Sequence, residues 1–166
     1  MKIVIMSDTH GNADIIETVK GYHPDADAYI HCGDSELPYN HPALANVERV
    51  AGNCDNDRNY LDEIIFRVGN DRVYVTHGHL YDVKTNVLKL TYRAQELGAN
   101  IVCFGHTHVL GADYINETLF VNPGSLRKPK RIPDKSYVLL DIKDYAYILY
   151  CYNENNELIE KIHFER

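Results

Sequence analysis

The chain has no tryptophan, and its four cysteines include no Cys-x-x-Cys pair. Cys32, Cys54, Cys103 and Cys151 are scattered, three of them in strand-like runs, and read as reduced thiols of a cytoplasmic protein. No run approaches the ~20 apolar residues of a membrane span. The apolar opening Met1–Met6 is too short for a signal peptide and reads as a first buried strand. A linker rich in Pro, Gly or Ser is also missing, as are repeats, so residues 1–166 are expected to form a single domain. Basic residues are in deficit, with 17 Lys and Arg against 24 Asp and Glu and a net charge of −7. That balance argues against a broad basic face for extended nucleic acid, and at first against any anionic substrate. With 45% hydrophobic and 25% charged residues, the chain is neither disordered nor collagen-like.

What the chain does have is nine histidines and a regular alternation of segments. Apolar runs at 2–6, 28–32, 47–51, 72–76 and 101–104 read as strands. Helical spacing appears over 13–22 and, more clearly, over 83–97, where Val83, Val87, Leu90, Ala94 and Leu97 form one stripe between a capping Asp82 and a terminating Gly98. Residues 61–68 pair with the fourth run across Gly69-Asn70-Asp71. Runs at 136–142, 146–152 and 158–164 alternate apolar and polar residues as antiparallel strands do. The pattern predicts two packed sheets with helices outside.

Five strand ends deliver chemistry. They are followed by Ser7-Asp8-Thr9-His10, Gly33-Asp34, Gly52-Asn53-Cys54-Asp55, His77-Gly78-His79 and Gly105-His106-Thr107-His108. Ligands of α/β sheets bind beyond the carboxyl ends of strands, so these groups are expected to converge. Imidazole and carboxylate together suit divalent transition metals. In an extended strand end, the i, i+2 spacing of Asp8/His10 and His106/His108 puts both side chains on one side. Asp34, with two oxygens, can bridge two ions ~3.5–4 Å apart, an arrangement common in phosphoryl transfer. The plainer reading of the first motif is a strand-to-helix turn capped by Asn12; agreement of four other strand ends favours metal binding. His79 is read as a loop residue or a partner of a ligand, and His31 as a satisfied sheet residue.

In this order, Asp-x-His, Gly-Asp, Gly-Asn-x-Asp, His-Gly and Gly-His-x-His resemble the calcineurin-like metallophosphoesterases. Gly52-Asn53-Cys54-Asp55, the short chain and Asn122-Pro123-Gly124-Ser125 resemble the small YfcE-type phosphodiesterases. The resemblance implies a four-layer α/β/β/α sandwich of two mixed β-sheets flanked by helices. It implies one metal held by Asp8, His10, Asp34 and His108, and another by Asp34, Asn53, His77 and His106. Manganese is the first expectation, with nickel, iron, cobalt or zinc as alternatives. Catalysis would fall to Asp34 as the bridge and Asn53 as a phosphoryl contact, with activated water attacking in line. Two divalent ions against two carboxylates leave a local charge of about +2, so the global −7 does not exclude a small phosphodiester.

Many relatives carry His after the Asn as proton donor, whereas this chain has Cys54, which leaves the general acid unassigned. Asn12, Cys54 and Arg127 are the expected substrate contacts. Arg127, Lys128, Lys130 and Arg131 form the one basic run, read first as a solvated loop and second as a rim guiding phosphate. A homodimer is expected by the same resemblance. The alternative is a non-catalytic scaffold of the same fold, as in one retromer subunit; scaffold relatives tend to lose metal-binding side chains.

Overall fold

The computed structural model describes residues Met1–Arg166. Its first sheet takes the parallel strands β1 (Lys2–Met6), β2 (Ala28–His31) and β3 (Val47–Arg49). The second contains β4 (Glu63–Val68), β5 (Asp71–Thr76), β6 (Ile101–Cys103), β7 (Leu110–Ile115) and β8 (Thr118–Pro123), in the order β4-β5-β6-β8-β7. Strands β9 (Ser136–Ile142), β10 (Ala146–Asn153) and β11 (Leu158–Glu165) return to complete the first sheet as β11-β10-β9-β1-β2-β3. Both sheets are mixed: β9 runs antiparallel to β1, and β4 and β7 edge a parallel β5-β6-β8 centre.

The period of two along each central strand sorts its side chains into layers. Ile3 and Ile5 enter the core between the sheets, whereas Val4 and Met6 face α1 (Ala13–Tyr22) with Ile16 and Val19. In β5, Val73 and Val75 point to the shared core; Tyr74 points to α2 (Leu88–Leu97) with Leu90 and Ala94. Helix, sheet, sheet and helix therefore stack as four layers. Each fully buried aliphatic side chain contributes about 1.5–3 kcal/mol, so the strands with two buried faces anchor the fold.

Helix α2 is shorter than its stripe. Asp82 adopts a left-handed conformation (φ 53°) and does not cap the helix. Its carbonyl instead accepts the N–H groups of Thr85 and Asn86 in a turn, and Asn86 Oδ1 accepts from Leu88 N. Val83 nevertheless packs against Leu90, so the stripe is core although its first turn is not helical. Gly98 ends the helix in the left-handed region as expected (φ 61°). The β7–β8 hairpin was not legible in the sequence. No helix is long and apolar enough to cross a membrane.

Candidate metal centre

Beyond the ends of β1 and β2 the backbone pairing continues, with Asp8 N bonded to Gly33 O and His10 N to Asp34 O. The loops after β5 and β6 join through Gly105 N to His77 O. The backbone there is not extended. Asp8 (φ 55°), His10 (43°), Asp34 (56°), Glu36 (54°), His106 (67°) and His108 (60°) all occupy the left-handed region. The i, i+2 pairs converge because alternate residues bend the chain, not because a straight strand presents one side. Each such non-glycine residue costs about 1–3 kcal/mol, and this concentration marks a functional site. Two glycines let the loops close. A Cβ on Gly52 would stand 2.0 Å from Asp34 Oδ1, and one on Gly105 would stand 2.1 Å from Ser7 Oγ and 2.6 Å from Asp8 Oδ2.

Six of the seven expected ligand side chains each bring a donor atom within 3.9 Å of another's in one cluster. Asp8 Oδ1 lies 2.9 Å from His108 Nε2, 3.8 Å from His10 Nε2 and 3.9 Å from His77 Nε2. His77 Nε2 lies 3.3 Å from Asp34 Oδ2 and 3.1 Å from Asn53 Oδ1. His10 and His108 bring their Nε2 atoms within 3.5 Å. Donors bonded to one ion at ~2.0–2.2 Å stand roughly 3–3.5 Å apart, so these spacings are of the right order. His106 joins more loosely: its ring centre is 5.1 Å from that of His77, and its backbone N–H donates to Asp8 Oδ2.

The tautomers favour cation binding. His77 Nδ1–H donates to Cys32 O, His108 Nδ1–H to Lys128 O and His10 Nδ1–H to Glu36 Oε1, each at 2.7 Å. In the neutral rings this leaves the three Nε2 lone pairs turned inward. Asp8 Oδ2 is satisfied by Ser7 Oγ at 2.5 Å, but Oδ1 is buried and, while the facing imidazoles are neutral, accepts no hydrogen bond. A carboxylate oxygen and an imidazole lone pair 2.9 Å apart repel unless a proton or a metal ion lies between them. The residues present therefore fit a divalent metal.

Without metal, protons fill that role. Burial alone would lower His77, but its bond to Asp34 and the charges of Asp8 and Asp34 raise it above the usual 6.5. The bond to Asp8 likewise raises His108 against burial. Burial would raise Asp8 and Asp34; the imidazoles outweigh it and hold both carboxyls below the ordinary range. His106 is pushed down to about 4, by burial first, then by His77 and Lys84. Burial, then Asp34, pushes the Cys54 thiol up to about 11, so it is neutral at physiological pH.

The other expected residues divide. Asn12 caps α1, its Oδ1 accepting from Ile15 N. Cys54 sits at the centre, with its N–H on Asp34 Oδ1 and its thiol within 4.8 Å of donor atoms of His10 and Glu36. Arg127 is exposed, and its backbone N–H bonds Ser125 Oγ. The basic run reaches the centre instead through backbone, as Lys128 O holds His108 Nδ1 and Lys130 N bonds His108 O. His31 is buried and satisfied, accepting from Gly33 N on Nδ1 and donating from Nε2 to Thr9. His79 stands 5.4 Å from His77, ring to ring, with a buried Nδ1 lacking a partner.

Four supporting residues were missed. Glu36 orients His10. Asp55 accepts from Asp34 N, Gly52 N and Glu36 N at 2.8, 2.7 and 2.7 Å, clamping two metal-site loops together. Asn122 donates to Gly105 O and Thr107 Oγ1, and Ser125 donates to Asp8 O. The Gly-Asn-x-Asp motif contained the signal for Asp55, and Asn-Pro-Gly-Ser that for Asn122 and Ser125.

Fold and centre together define a phosphoesterase. The family model described as the calcineurin-like phosphoesterase superfamily domain matches residues 1–145, and the chain belongs to that superfamily. It is 39% identical over 163 residues, 98% of this chain and 96% of the relative, to the probable metallophosphoesterase YsnB of Bacillus subtilis (strain 168). A conserved uncharacterised protein and predicted phosphoesterase from Streptococcus pneumoniae superposes with a TM-score of 0.95 at 35% identity, covering 99% of this chain and 97% of that one. At lower identity the fold alone recurs. The phosphoesterase YfcE of E. coli gives a TM-score of 0.70 at 24% identity (98% of each chain), and Vps29 of Cryptosporidium parvum 0.80 at 17% (99% and 98%).

Proposed function

We propose that the chain is a metal-dependent phosphodiesterase with a dinuclear centre. Asp8, His10, Asp34 and His108 would hold one divalent ion, and Asp34, Asn53, His77 and His106 the other. The observation that carries this reading is the buried, unpartnered Asp8 Oδ1 facing inward-turned imidazole nitrogens. Divalent ions, when bound, supply positive charge to a phosphoryl group and lower the pKa of water toward 7. The chain's own residues do the rest. Asp34, fixed through Oδ1 by Cys54 N–H, keeps Oδ2 3.3 Å from His77 Nε2 and a donor oxygen within 4.8 Å of Asp8, and would bridge the two halves from there. Asn53, whose Oδ1 lies beside His77, would donate its amide N–H to a phosphoryl oxygen.

Cys54, neutral with a pKa of about 11, is neither a ready nucleophile nor a strong acid. A thiol where many relatives carry the imidazole donor favours small diesters with good leaving groups over alkyl monoesters. The scaffold reading needs no donor set, whereas this chain retains all seven side chains. Asp34→Asn tests the proposal: turnover of bis(p-nitrophenyl) phosphate with added Mn²⁺ is expected to fall at least 100-fold. Turnover near wild type would reject the bridging role.

A further inference from the structure

A groove of about 660 Å³ opens beside the metal centre, between the segment holding Val83 and Lys84 and strand β7. Its volume is that of a small-molecule site, ~300–1,000 Å³. Phe104, Phe120 and Leu110 make its floor apolar. Lys84, Lys130 and Arg131 stand on its rim against one carboxylate, Asp113. All three cations are exposed, and none joins the ion pairs of this fold. Three free cations around one cavity are a local reversal of sign in a chain of net charge −7, and such a cavity draws in anions.

The groove is continuous with the centre. Thr107, which lines it, lies between His106 and His108, and its Oγ1 is fixed by Asn122 Nδ2 at 2.8 Å. Lys130 is tied by its N–H to His108 O at 3.0 Å. An ester with its phosphorus at the metal centre has this cavity beside it for one organic arm.

We propose that the groove binds the organic arm of the substrate, and that this arm carries a flat apolar ring and at least one negative charge beyond the reacting phosphate. The ring would lie on the apolar floor and the extra anion among Lys84, Lys130 and Arg131. This rests on the phosphodiesterase reading for its substrate, but the groove can be probed without metal. The binding probe is thymidine 3′,5′-bisphosphate, titrated calorimetrically into chelator-treated protein. The triple variant Lys84→Gln, Lys130→Gln, Arg131→Gln is expected to bind it about 10-fold more weakly, and Asp113→Asn to bind it more tightly. Equal affinity in wild type and triple variant would overturn the proposal.

The kinetic readout is a ratio. With Mn²⁺, kcat/KM for the 5′-p-nitrophenyl ester of thymidine 3′,5′-bisphosphate should exceed that for the ester lacking the 3′-phosphate by about 10-fold, falling toward 1 in the triple variant. A wild-type ratio near 1 would also overturn it. Binding of the bisphosphate without hydrolysis of any ester would reject the hydrolase reading alone. Hydrolysis of bis(p-nitrophenyl) phosphate with no bisphosphate binding would reject the groove alone.

Discussion

Asp55 never faces the metal centre directly, yet its removal should dismantle it. The carboxylate takes three short N–H bonds, from Asp34 and Gly52 on Oδ2 and from Glu36 on Oδ1. A hydrogen bond to a charged group contributes about 1.5–3 kcal/mol, and the three share one half-buried acceptor and do not add fully. Asp55→Ala is therefore expected to destabilise the protein by about 3 kcal/mol in urea unfolding. Asp55→Asn should be nearly as harmful, because its NH₂ would confront either the Glu36 N–H or those of Asp34 and Gly52. Both variants should bind Mn²⁺ at least 10-fold more weakly, since Asp34 and Asn53 sit on the loops released. A loss below 1 kcal/mol with unchanged Mn²⁺ affinity would refute the clamp.

Other expectations follow from the same geometry. His77 and His108 are raised above 6.5 in the metal-free site, and metal must displace their protons. Mn²⁺ affinity should thus weaken on going from pH 8 to pH 6, by up to 10-fold per unit for each proton displaced; a flat profile would contradict it. The metal-free protein draws stability from these histidines that is complete below 6.5 and lost as pH rises through their raised pKa values. Asp8 and Asp34 stabilise above about 4 and lose that contribution as pH falls through their lowered values. The chelated protein should consequently show a lower melting temperature at pH 8.5 than at pH 6.5, a difference Mn²⁺ should abolish. Gly105→Ala, forcing a methyl against Ser7 Oγ and Asp8 Oδ2, should cost about 2 kcal/mol in stability and impair metal binding measured by calorimetry. Glu36→Ala should weaken Mn²⁺ binding about 10-fold by freeing His10; Glu36→Gln, which still accepts from His10 Nδ1–H, should do less harm.

The strands that carry the centre were legible because apolar runs end in Asp, Asn, His and Gly, and residue type alone announces metal chemistry. The bends that bring those side chains together were not. A left-handed backbone at Asp8 or His108 leaves no periodic trace, and the extended spacing rule gave the right convergence for the wrong local reason. The β7–β8 hairpin escaped because every residue of β8 is buried, which removes the alternation of polar and apolar positions. Its turn, Asn116-Glu117, takes two left-handed residues without glycine. Helix α2 was overextended since Val83 packs like a helical residue while its backbone is held in a turn on Asp82 O. Glu36 orients an imidazole 26 residues away, which spacing does not encode, whereas Asp55 was visible as the last residue of Gly-Asn-x-Asp but its N–H partners Asp34 and Glu36 on another loop were not.

The most direct test is stoichiometric. Mn²⁺ is titrated into chelator-stripped protein while hydrolysis of bis(p-nitrophenyl) phosphate is followed. Activity should rise from background and saturate at two equivalents of metal per chain. Saturation at one equivalent would contradict the dinuclear centre, and hydrolysis that is absent with Mn²⁺ or undiminished in chelator would contradict metal-dependent phosphodiester cleavage itself.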